Sequence, residues 1–126
     1  MNDYVSEGLN GVKNADFGNK IAEIADHYGF DSQSHMLIEE MAELAQAINK
    51  LYRSTGTHGY PTDDGVTKTI ANLHEEIADV EICLEQITHL LHCRATVDAW
   101  KEKKVERQLE RMEKENEENK RARGNE

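Results

Sequence analysis

The chain has 126 residues, 37% of them hydrophobic and only 6% aromatic, with a single proline, which suits one modest helical domain or one protomer of an oligomer. A formal net charge of −10 argues against binding to nucleic-acid phosphates, and no apolar run approaches the ~20 residues of a membrane span. Two cysteines, Cys83 and Cys93, are too few for a disulfide framework or a zinc site, and no charged start leads into an apolar stretch, so the expected setting is a reducing cytoplasm.

Residues 1–14 are polar and carry Gly8 and Gly11, so a loose or short helical start is expected. Phe17, Ile21, Ile24 and Ala25 then mark an amphipathic helix from Asp16 to Tyr28, ended by Gly29. Asp31, Ser32 or Ser34 caps a second helix that runs to about Arg53. The stretch STGTHGYPTDDG, from Ser54 to Gly65, is dense in Gly, Ser, Thr and Asp and reads as a loop. A third helix is predicted from about Val66 to His92. A fourth begins near Ala95, with almost no linker, and carries Val97, Trp100, Val105, Leu109 and Met112. Tyr52 and Trp100 sit at core spacing, which fits packing better than stacking on a base. Beyond Met112 the run EKENEENKRARGNE has nothing to bury, so residues 113–126 read as a frayed or disordered tail on a domain spanning 1–112. The expected fold is all-α, an antiparallel bundle of four to five helices. So small a bundle leaves apolar helix faces uncovered, and association through them into a homodimer or homotetramer is expected.

The most informative residues are acids spaced three apart on two successive helices: Glu40 and Glu43 in IEEMAEL, then Glu76 and Asp79 in HEEIADV. That spacing puts each pair on one helix face. At 100° per residue, Glu40 falls inside the stripe of Leu37, Met41, Leu44, Ala47, Ile48 and Leu51, with Glu43 at its edge. Glu76 falls inside the stripe of Ile70, Leu73, Ile77, Val80, Leu84 and Ile87, with Asp79 at its margin. Glu39 and Glu75 point away. Such strings are common on solvated helix faces, but acids aimed at a core need a proton, a partner or a metal. Carboxylate oxygens suit a hard divalent cation, and Mg²⁺ usually completes its shell with water and substrate phosphates, which points to phosphoryl-transfer or phosphoanhydride chemistry. Di-iron bundles instead need Glu-x-x-His, and no histidine here has Glu three residues before it. His89 and His92 form an HxxH pair that reads as partly exposed polar positions. Walker-type glycine loops, a GxSxG turn and a CxxC pair are absent.

QSHMLIEEMAELAQAINK followed by HEEIADVEICLEQI resembles the MazG-like all-α nucleoside triphosphate pyrophosphohydrolases, whose signature is EExxE on one helix and ExxD on the next. The resemblance spans roughly Ile21 to Met112 and includes HYGFDSQ before the first motif. Residues 44–75 separate the motifs, a longer gap than is usual in the family, with the surplus in the Ser54–Gly65 loop. The resemblance implies Mg²⁺ (or Mn²⁺) held by Glu40, Glu43, Glu76 and Asp79. It also implies a (d)NTP substrate cut between its α and β phosphates to a monophosphate and pyrophosphate, as in nucleotide-pool housekeeping. Glu43 or the outward-facing Glu39 is the candidate acceptor of the attacking water's proton. Candidate phosphate-binding cations are Lys50 and Arg53 on the second helix and Lys104, Arg107 and Arg111 on the fourth, whose KxxRxxxR spacing resembles the basic stripe of small phage-type relatives. Asn72 shares a face with Glu76 and Asp79 and is a candidate for a phosphate or ribose contact. The alternatives are a phosphoribosyl-ATP pyrophosphatase, which belongs to the same superfamily, and a non-enzymatic helical interaction module.

Overall fold

The computed structural model describes residues 14–55 and 64–125. They form three helices and no strand: α1 (Asn14–Thr55), α2 (Asp64–Leu90) and α3 (Arg94–Gly124). The class is all-α as expected, with three helices where four to five were predicted. The difference lies mainly in α1, which unites the two segments expected on either side of Gly29. That glycine still leaves its mark, because its φ of 84° and ψ of 172° are non-helical and kink the element. Only glycine adopts this region without strain. Ser34 does not cap a new helix there; its hydroxyl donates to the Asp31 carbonyl at 3.0 Å. The expected opening segment before Asn14 and the centre of the Ser54–Gly65 loop lie outside the described residues.

Residues up to His92 and residues from Cys93 onward are two separate compact units. In the first, α1 and α2 pack together as antiparallel neighbours. The pairing of Gln33 with Gln86 and of Asp26 with His89 sets that direction, since rising positions on one helix meet falling positions on the other. The core between them is thin: Ile21, Ala25, Ala47, Val80 and Cys83, together with the amides of Gln33 and Gln86. Two helices in contact bury only their facing ridges. For that reason Met41, Ile48, Ile77 and Leu84, expected in the stripes, remain exposed (46%, 51%, 39% and 44%). Tyr52 is exposed as well, a correction to its expected packing.

α2 closes where Leu91 donates to the Ile87 carbonyl and His92 to that of His89, with His92 at a left-handed φ of 50°. The unit that follows is α3, which buries no residue. Trp100, expected at core spacing, is 51% exposed, with the Lys103 ammonium 5.2 Å from its ring centroid. The helix continues through the charged run to Gly124, where the composition alone pointed to fraying or disorder. Its support is local: Arg94 bridges Asp98 at 2.8 Å, and the i,i+4 spacing of Glu110 with Lys114 and Glu117 with Arg121 is of the helix-supporting kind.

Two glycines of α1 separate conformational strain from space. A Cβ added at Gly18 or at Gly29 meets nothing within 4 Å, but only Gly29 has positive φ. Gly29→Ala is therefore expected to destabilise the fold by about 1–3 kcal/mol. Gly18→Ala, in a regular helix, is expected to stabilise it by about 0.5–1 kcal/mol. Urea denaturation of both variants checks the opposite signs.

Candidate functional site

Helical phase decides which acids reach the α1–α2 contact. Glu40 and Glu76 are half-buried there, while their sequence neighbours Glu39 and Glu75 are exposed. Glu43, one turn beyond Glu40, is exposed yet joins them: one oxygen from each of Glu40, Glu43 and Glu76 lies within 4.8 Å of the others. Asp79 is outside that group and solvent-exposed, consistent with its place at the margin of the apolar stripe, although its charge acts on both Glu40 and Glu76. Three of the four expected ligands thus converge, and the fourth flanks them.

The electrostatics are those of like charges forced together. Burial raises the Glu40 carboxyl above its ordinary range, and the charges of Asp79, Glu43, Glu76 and Glu39 raise it further. Glu76 is raised first by burial, then by Glu43 and Asp79, by a hydrogen bond shared with Glu43, and by Glu75. The Cys83 thiol, buried next to this layer, is pushed up by burial and then by Glu40 and Asp79. It is a packed, unreactive thiol. Most telling are the Oε2 atoms of Glu40 and Glu76. Both are shut off from solvent, and neither has a hydrogen-bond partner. Buried polar atoms are nearly always satisfied, so an orphaned pair calls for a physical explanation.

The other candidates are placed as follows. Asn72 is exposed on α2, one turn before Glu76. Lys50 and Arg53 are exposed on α1, about 15–20 Å along the axis from Glu40 at the helical rise per residue. Lys104, Arg107 and Arg111 belong to the second unit, where with Lys101 they line a shallow groove on α3. His89 and His92 do not form a metal-type cluster among the described residues. His89 instead meets Asp26 at 2.9 Å, and the two imidazole rings sit edge to face at 6.2 Å. The residues that went unnoticed in the sequence are Gln33 and Gln86, buried and hydrogen-bonded to each other across the helix contact. The available signal was their position: each lies seven residues from a site acid, Gln33 before Glu40 and Gln86 after Asp79. Comparison with protein-family models, with curated proteins and with solved structures finds no match for this chain.

A pH dependence follows from the raised carboxyls. Each binds its proton more tightly in the folded than in the unfolded chain. The stability this contributes is complete below the ordinary value of 4.5 and is lost as pH rises through the elevated values. In EDTA the melting temperature is therefore expected to fall as pH is raised from 4.5 toward neutrality, other groups held equal. Glu76→Gln, which removes a charge and supplies a donor to Glu43, is expected to flatten that decline and raise the melting temperature at neutral pH. Differential scanning calorimetry of both proteins across this range is the check.

Proposed function

We propose that this chain is a divalent-cation-dependent nucleoside triphosphate pyrophosphohydrolase of the MazG-like kind, acting on (d)NTPs in the cytoplasm. The observation that carries the reading is the pair of buried, unpartnered carboxylate oxygens on Glu40 and Glu76, converging with Glu43 across two helices. A solvated acidic face gives no reason to bury such atoms, whereas a cation satisfies both at once. The donor set is all oxygen, which fits Mg²⁺ or Mn²⁺ and disfavours metals that prefer sulfur or nitrogen. When bound, the cation neutralises phosphate charge and lowers the pKa of a water molecule.

Glu40, Glu43 and Glu76 hold the cation in this reading, and Asp79 completes the acidic layer from its edge. Glu43 or the exposed Glu39 is the acid assigned to accept the proton of the attacking water. The bond broken is the bridge between the α and β phosphates, and pyrophosphate leaves. Asn72, a turn from Glu76, is assigned to a phosphate or ribose oxygen. Lys50, Arg53, Lys104, Arg107 and Arg111 are assigned to phosphate charge. Self-association into a homodimer or homotetramer belongs to the same reading. It is supported by Ile77, Leu84 and Leu91, exposed at seven-residue intervals along and just beyond α2, and by Met41 and Ile48 on α1.

A non-enzymatic interaction module is the second reading, favoured by those same exposed apolar rows and by the exposure of Glu43. Metal titration separates the two. Millimolar Mg²⁺ or Mn²⁺ is expected to raise the melting temperature, since a ligand bound only by the native state stabilises it. No shift favours the module. Pyrophosphate release from a panel of NTPs, dNTPs and phosphoribosyl-ATP then identifies the substrate class. Glu40→Gln and Asp79→Asn are each expected to abolish turnover with the helical circular-dichroism signal intact; retained activity in both would overturn the site assignment.

A further inference from the structure

We propose that Gln33 and Gln86 are positioning residues, a polar clamp that holds α1 and α2 in the axial register that brings both acid pairs together. The clamp itself follows from the helix contact. Only its consequence for the cation rests on the function proposed above.

The need for a clamp is electrostatic. In this register Glu40 and Glu43 face Glu76, with Asp79 beside them, so the layer repels itself whenever its charge is not neutralised. The apolar residues do little to oppose a slide. Ile21, Ala25, Ala47, Val80 and Cys83 are small or aliphatic, and burial of such surface is non-directional. One helical turn of sliding, about 5.4 Å, breaks up this set: in one direction only Glu40 still faces Glu76, and in the other no acid faces another. It also sets Glu43 against Leu73 or Val80, at little loss of apolar contact.

The amide pair is directional where those contacts are not. Gln33 Nε2 donates to Gln86 Oε1 in a setting where both residues are buried, 7% and 3% exposed. They are the buried polar residues among those described. Each lies on the same face as a site acid, two turns from Glu40 on α1 and two turns from Asp79 on α2. A one-turn slide in either direction leaves Gln33 facing Cys83 or Leu90 and Gln86 facing Phe30 or Leu37, without a matching amide. A single buried polar pair that is satisfied in one alignment alone is a well-attested device for setting helix register.

The experiment measures register directly in the full chain. Nitroxide labels go on exposed positions of the two helices, Ala45→Cys and Ala71→Cys, in a Cys83→Ala, Cys93→Ser background, with EDTA present. Electron–electron distance measurement is expected to give a single narrow distance. In Gln33→Met/Gln86→Met, which preserves volume and helix propensity, the distance is expected to broaden or split, with a second population displaced by about one turn, 5 Å. Gln86→Glu alone, with Gln33 still present as donor, keeps the accepting oxygen and is expected to retain the single distance. In unlabelled protein the double Met variant is expected to need about tenfold more Mn²⁺ for half of its melting-temperature rise. A single, unshifted distance in the double Met variant overturns the clamp, whatever the metal does. Absence of any Mn²⁺ response in the native chain overturns the cation reading alone, and the distance measurement still decides the clamp.

Discussion

Two carboxyl groups, one from each of two antiparallel helices, press against each other at the α1–α2 contact, each with an oxygen cut off both from water and from any donor. This contact is unfavourable on its own terms: burial and mutual repulsion raise both groups above the ordinary carboxylate range. Everything else in the first unit bears on how such an arrangement persists. A proton on either group would relieve part of it. A divalent cation would relieve the whole. Surrounding residues supply the remainder: Val80 and Cys83 pack beside the acids, and the amides of Gln33 and Gln86 tie the helices together two turns away.

Thinness of the core is the second constraint. Two helices alone have one line of contact, so a stripe spanning a third of each helix surface buries only its centre. Ala47, Val80 and Cys83 occupy that centre, and flanking Met41, Ile48, Ile77 and Leu84 stay in solvent. With so little apolar burial, directional contacts gain importance, among them the buried amide pair and the Asp26–His89 bridge. The kink at Gly29 lies between these two links on α1, so the contact with α2 continues on both sides of the break.

α3 follows a different logic. None of its residues is buried, and its continuation to Gly124 draws on helix propensity and on charges at i,i+4 spacing. Its basic residues Lys101, Lys104, Arg107 and Arg111 gather along one groove of an otherwise acidic chain.

Helical periodicity alone determined the all-α class, the position of α2 and the start of α3 to within a few residues, and the break at Gly29. It also determined which acid of each adjacent pair would turn inward, Glu40 over Glu39 and Glu76 over Glu75, because phase along a helix is a local property. Residues 113–124 continue α3 as an exposed helix, because composition reports what can be buried, whereas a solvated helix needs only local support. Tertiary structure decided what periodicity leaves open. Which stripe residues are covered depends on how many helices pack against them, so Met41 and Leu84 were misjudged. Glu43 joins the carboxylate group while Asp79 flanks it because of register between two helices far apart in sequence. The Gln33–Gln86 pair was invisible for the same reason: a glutamine in a stripe becomes a clamp only when its partner arrives from the other helix.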